Sequence, residues 1–173
     1  MVLHAGVVHG VLPNAARYGA VLAVIRILTG IVWLIHGWGK ISSPQWAAPN
    51  GNCARFLSDM LNGTSGPYHD FITGFVLPHI TVFATLVAWG ETLTGVALVV
   101  GLMTRLAGAI GPFLLLNYWL AHAGYADLQG YSGLEPTTAL LTAINLVLPT
   151  GRVFGIDGMI AARKCPPAVG EKS

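Results

Sequence analysis

The chain has 173 residues, a length that suits one domain. Hydrophobic residues make up 54% of it and Asp, Glu, Lys and Arg only 9%, against about 25% charged in a typical soluble domain. So few charges exclude a water-covered globule, and the nine basic and seven acidic side chains, net charge +2, form no clustered basic face of the kind nucleic acid requires. The expectation is an all-α integral membrane protein, with residues 1–173 as one domain in the lipid bilayer.

In chain order, the first 20 residues have no Lys or Arg before Arg17 and contain a proline and several glycines. They lack the charged start and short apolar core of a signal peptide, so membrane insertion is expected to use the first spanning helix uncleaved. A spanning helix needs about 20 mainly apolar residues to cross roughly 30 Å of hydrocarbon. Spans are predicted at about 16–36, 77–102, 106–123 and 135–154. The fourth run is the weakest; it opens on Glu135-Pro136, where proline suits a first helical turn, and meets Pro149 and Gly151 as a kink or stop. The predicted fold is a four-transmembrane-helix bundle.

The longest connection, about 39–74, lies between helices 1 and 2 and is rich in Pro, Gly, Asn and Ser. Inside it CARFLSDML, from Cys53 to Leu61, spaces Phe56, Leu57, Met60 and Leu61 as a short helix would. It fits either an interfacial helix or a cap over the bundle. With the N-terminus inside, Arg17, Arg105, Arg152, Arg163, Lys164 and Lys172 fall inside and only Lys40 and Arg55 outside. That satisfies the positive-inside rule. The chain is expected in the cell inner (cytoplasmic) membrane, both termini cytoplasmic and the long first loop extracytoplasmic.

Two charges fall within the spans. At about 1.5 Å per residue Arg26 lies roughly 14 Å above Arg17, while Glu91 stands about 15 Å above Gly101. They reach one depth, and since intramembrane charges usually face the bundle interior and pair, an Arg26–Glu91 ion pair is predicted. Asn117, Asn145, Thr29, Thr94 and Thr142 fall near the same layer. Two readings stand: a hydrogen-bonded network gluing the bundle, or a polar, proton-conducting site.

At the outer rim His36, His79 and His122 end helices 1, 2 and 3, with Trp33, Trp38, Trp46, Trp119, Tyr118 and Tyr125 at a similar level. The rings fit an interfacial aromatic belt. The alternative is a quinone headgroup stacked on tryptophan and hydrogen-bonded by His36 or His79, with Lys40 and Arg55 attracting a small anion. Histidines at one level could also hold haem or a metal, but no pair has zinc or c-type haem spacing, so no metal site is predicted. Cys53 and Cys165 fall on opposite sides of the bilayer and cannot pair; no CxxC, GxGxxG, P-loop or nucleophile elbow is present.

Arg26 to Lys40, with its R-x3-G-x5-HGWGK pattern, and Trp89 to Arg105, WGETLTGVALVVGLMTR, resemble the two signature stretches of the DoxX/DoxD family of small four-helix membrane proteins. The likeness runs from about Arg17 to Gly158; the long first loop with Trp46 and the Val76-Leu77-Pro78-His79 entry to helix 2 look closer to the DoxD branch. The resemblance implies the membrane subunit of a thiosulfate:quinone oxidoreductase, which joins two thiosulfates into tetrathionate and passes electrons to quinone with a smaller subunit, DoxA. Under that reading quinone is substrate or bound ligand and the partner is DoxA-like. Arg26, Glu91, His36 and Lys40 are then the candidate catalytic residues; Trp33, Trp38, His79, Asn117, His122 and Arg55 are candidates for binding quinone or substrate. The rival reading is a non-catalytic accessory subunit of a larger respiratory or photosynthetic complex. A small-solute transporter is disfavoured by the lack of a clear inverted repeat or broken helix pair.

Overall fold

The computed structural model describes residues 12–62, 64–121 and 134–164, which are helical with no strand among them. Helix α1 spans Leu12–Ile41 and α2 spans Asn52–Leu61. A short α3, Pro67–Phe71, runs into a π-helical turn at Ile72–Val76, a 3-10 turn at Leu77–His79 and then α4 at Ile80–Val100. The irregularity has a local cause: Pro78 offers no N–H, and its ring crowds the carbonyl four residues back. The chain widens into a π-turn and tightens into a 3-10 turn around it without losing its direction. Helix α5 spans Thr104–Ala121, α6 spans Leu134–Val147, and a 3-10 turn at Thr150–Arg152 leads to α7 at Ile156–Lys164.

Among the described residues two helical stretches are long and apolar enough to cross a membrane, Arg17–Ile41 and Pro67–Val100, with Pro136–Val147 a shorter apolar helix. The first two thus extend beyond the predicted 16–36 and start before the predicted 77–102. The predicted fourth span, 135–154, divides: its helix stops at Val147, and the rest turns towards α7. Helices α1, α4, α5 and α6 pack in a ring, each touching the next.

The tightest pair is antiparallel α1 and α4, and small residues set its register. A Cβ added at Gly30 would lie 2.9 Å from the Leu98 Cβ, and one at Gly95 2.6 Å from the Leu34 amide. Backbones approach this closely in membranes when the interface is built of small residues. Gly37 likewise faces Thr92. This register places Lys40 level with the stretch before Glu91 and Arg26 level with the end of α4, where Gly101 takes a left-handed φ of 70°. Glycine is the residue for that turn, since a side chain there would also run into Gly155 and the Arg26 guanidinium.

Helix α2 caps one end of the ring. Cys53 and Leu61 pack there with Ile72, Val76, Ile80 and Ala84, so CARFLSDML is a cap buried through Cys53 and Leu61, with Leu57 and Met60 half-buried and Phe56 39% exposed.

Candidate functional site

The predicted Arg26–Glu91 ion pair does not form. By the α1–α4 register the two residues stand about 11 residues apart along α1, roughly 16 Å. The depth estimate failed because it took Arg17 as the inner edge, whereas α1 continues to Leu12 and runs past the end of α4. Each charge has its own partners.

Arg26, 1% exposed, turns the two terminal nitrogens of its guanidinium to backbone, while its Nε has no hydrogen-bond partner. Nη1 donates to the carbonyls of Thr150 (2.7 Å) and Val153 (3.1 Å), and Nη2 to that of Phe154 (2.9 Å). These carbonyls follow the end of α6; that of Thr150 also accepts the Val153 amide of the 3-10 turn (3.2 Å). Thr150 is fixed from the other side as its hydroxyl donates to Asn145 Oδ1 (2.6 Å). Asp157 completes the knot: its carboxylate accepts the Met103 and Thr104 amides and the Thr104 hydroxyl, at 2.9, 3.1 and 2.9 Å. Burial pushes the Asp157 carboxyl upward, but those three hydrogen bonds and the Arg26 charge outweigh it and hold it below its ordinary value. A permanent charge within α1 is therefore the clasp that binds the segment after α6 to the α4–α5 turn.

At the other end Lys40 forms an ion pair with Glu91 Oε1, and Tyr118 Oη lies 2.9 Å from Lys40 Nζ and 3.1 Å from Glu91 Oε1. The three residues come from α1, α4 and α5. The Lys40 ammonium also stands 4.9 Å from the Trp46 ring centre and 5.1 Å from that of Tyr118, close enough for cation–π attraction. Trp46 is held in turn by donating Nε1 to the Ala84 carbonyl (3.0 Å). Glu91 is 2% exposed, and its second oxygen, Oε2, has no hydrogen-bond partner. A buried carboxylate with one oxygen doubly engaged and the other bare is poised to accept a further donor, because an unmet charged acceptor carries a desolvation cost. Cys53 lies nearby, buried; its thiol is pushed up to about 11, first by burial, with the Lys40 charge lowering it and Glu91 raising it.

The other predicted site residues scatter. Trp33 belongs to the core rather than the rim: it is 3% exposed and donates to the Thr142 hydroxyl (2.9 Å), tying α1 to α6. A Cβ at Gly111 would meet both side chains, so α5 closes over the pair. Trp38 is 63% exposed, and His36 and Arg55 are exposed as well. His79 bonds the Phe75 carbonyl through Nδ1 (2.9 Å) and stacks near the Phe75 ring. Asn117 accepts from Tyr68 Oη (3.1 Å) and donates to Phe113 O (2.7 Å), away from any shared layer with Asn145. His122 lies outside the described residues. The single polar layer expected across four helices is instead an Arg26 knot, a Trp33–Thr142 bridge and a Lys40–Glu91–Tyr118 centre.

The sequence reading missed Tyr118 and Trp46 as parts of a charge site, because aromatic residues near a helix end read as belt. Lys40 was singled out, but without its partner. Among the described residues no group of three or more His, Cys, Asp or Glu could hold a metal ion.

Among the described residues two apolar helical stretches long enough to span, packed through small residues, fit a helical membrane protein. A family model described as DoxX matches residues 21–124, which includes Arg26, Lys40, Glu91 and Tyr118. The chain belongs to the DoxX family of membrane proteins. No curated protein and no solved structure matches it.

Proposed function

We propose that this chain crosses the bilayer four times, through α1, α4, α5 and α6, and serves as the membrane subunit of a quinone-linked oxidoreductase centred on Lys40, Glu91 and Tyr118. The observation that carries the reading is the bare, buried Glu91 Oε2 beside an ammonium and a phenol. The donor set fits a quinone headgroup, whose carbonyl oxygens accept hydrogen bonds and whose flat ring suits the Trp46 and Tyr118 faces. A quinone bound there would supply two-electron redox chemistry that takes up two protons on reduction. Lys40 Nζ and Tyr118 Oη orient an oxygen acceptor by donating to it. Glu91 holds or releases a proton at Oε2 and anchors the Lys40 ammonium through Oε1. Trp46 and α2 limit water at the ammonium.

As in the DoxD branch, thiosulfate is proposed as electron donor: two thiosulfates join through a new S–S bond to give tetrathionate, releasing the two electrons. A DoxA-like partner would bring the donor to the Lys40 end, where exposed Arg55 favours anions. The basic residues support placing this end outside the inner membrane.

The test compares wild type with Glu91→Gln in thiosulfate-dependent quinone reduction, on protein extracted in mild detergent with its partners. Glu91→Gln takes the counter-charge from Lys40, so lower melting is expected together with at least a tenfold loss of rate per folded protein, since positioned acid–base groups typically contribute about 10²–10⁴-fold. Full activity would remove Glu91 from the mechanism. Recovery only within a large complex, with no quinone bound to this chain, would favour the accessory-subunit reading.

A further inference from the structure

The two ends of the molecule differ in charge. At the end away from Lys40, Arg17, Arg105, Arg152 and Arg163 are all exposed. The acid among them, Asp157, lines the same groove, but its carboxylate already accepts three hydrogen bonds and its charge is met by that of Arg26. A groove of about 380 Å³ runs between the start of α5 and α7, with Arg105 and Arg152 on its wall and Met103 and Ile160 beside them. Met103, Ile160, Met159 and Phe154 are 57%, 41%, 59% and 77% exposed. Phe154 and Met103 both hold a left-handed φ, 48° and 51°. Positive φ is costly for side-chain-bearing residues, so the clasp holds two strained residues with apolar side chains outward.

Two exposed arginines lining one groove beside exposed apolar side chains fit a phosphate ester carrying acyl chains. In a chain embedded in a bilayer, arginines attract anionic headgroups while apolar side chains at the same level enter the acyl region. We propose that the groove between α5 and α7 is a binding site for an anionic phospholipid, its phosphate held by Arg105 and Arg152 and its chains laid over Met103 and Ile160. Arg163 and Arg17 strengthen the local field without facing that groove. The site is independent of the quinone reading, since it shares no residue with the Lys40 centre.

The experiment is native mass spectrometry of the full chain in detergent supplied with phosphatidylglycerol and phosphatidylcholine in equal amount, on wild type, the Arg105→Gln/Arg152→Gln double variant and Arg55→Gln. Wild type is expected to retain phosphatidylglycerol in preference. The double variant should lose that preference by about 30-fold, the worth of two basic residues near an anionic surface. Arg55→Gln, at the opposite end, should keep it. Equal retention of the two lipids by wild type, or an unchanged preference in the double variant, would overturn the proposal. Thermal melting of each variant checks folding, and because both arginines are exposed and make no described side-chain bond, melting is expected to stay at the wild-type value. If the double variant melts early, Arg105→Lys/Arg152→Lys provides the second reading: it keeps charge and must keep the preference, and its loss would equally overturn the site.

Discussion

Arg26 and Lys40 sit on the same helix, both mostly withdrawn from water, and they do different things. Arg26 donates to three carbonyls that follow α6 and has no acid in hydrogen-bonding contact. Lys40 meets a carboxylate, a phenol and a tryptophan face, and its acid partner keeps one oxygen bare. The first charge is committed to backbone that cannot move without losing α7. The second sits in a group of side chains that can exchange partners. The two buried charges thus differ in their neighbours, backbone carbonyls for Arg26 and exchangeable side chains for Lys40, although each centre keeps one unpartnered polar atom, Arg26 Nε and Glu91 Oε2.

The sharpest way to break this contrast is to remove each charge. Arg26→Met removes the donor from the carbonyls of Val153 and Phe154 and leaves that of Thr150 only its bond from the Val153 amide. Hydrogen bonds to charged groups are worth about 1.5–3 kcal/mol each, and breaking a buried charged network commonly costs about 3–5 kcal/mol. The largest loss in thermal stability in detergent is expected here, with early proteolysis after α6. Melting at the wild-type temperature would show that the clasp is not holding the segment.

Lys40→Met should destabilise almost as much, since it leaves Glu91 buried without its cation, about 3–5 kcal/mol on breaking such a pair. The double variant Lys40→Met/Glu91→Gln is expected to recover much of that loss while remaining inactive in quinone reduction, because two neutral groups need no counter-charge. No comparable rescue exists for Arg26, whose partners are carbonyls of the chain itself. A double variant as unstable as Lys40→Met alone would place Lys40 with Arg26 as a structural clasp.

These partnerships explain what the sequence disclosed. Helical class, the α1 and α4 stretches and the cap helix at Asn52–Leu61 follow from apolar length and spacing, which are local. The family likeness rests on motifs also local to Arg26–Lys40 and Trp89–Arg105. Partners across helices depend on register, and register is set by which small residues face each other. Gly30 and Gly95 are visible in the sequence, but nothing local says that Gly30 meets Leu98 rather than a residue one turn away. The offset that separates Arg26 from Glu91 and pairs Lys40 with it is about three turns, because the end of α4 lies level with Arg26 and not with Arg17. Arg26's true acceptors were also illegible, because backbone carbonyls have no residue signature.

Between the two charge centres lies the Trp33–Thr142 bridge, a neutral contact that should matter less than either. Trp33→Phe removes one buried donor and leaves the Thr142 hydroxyl its own bond to the Thr138 carbonyl. About 1 kcal/mol is expected, and Thr142→Val should add little in the Trp33→Phe background if the bond is the shared contribution. Additive losses would show that packing against Gly111, rather than the hydrogen bond, joins α1 to α6.

The smallest effect concerns acid. Asp157 has a folded value below its ordinary one, so its contribution to stability is complete above the ordinary value of 3.8 and is lost as pH falls through the lower folded value. The knot around Arg26 should therefore hold at neutral pH and loosen only in strong acid, where protonation takes away the acceptor of the Met103 and Thr104 amides. Asp157→Asn should flatten that part of the stability profile, because its one amide oxygen accepts without titrating, while the bonds to the other carboxylate oxygen are lost at every pH. Melting in detergent from neutral pH down to pH 3 checks this. If wild type and Asp157→Asn lose stability in parallel across that range, the acid sensitivity belongs elsewhere, and the clasp depends on Arg26 and its carbonyls rather than on the carboxylate that braces them.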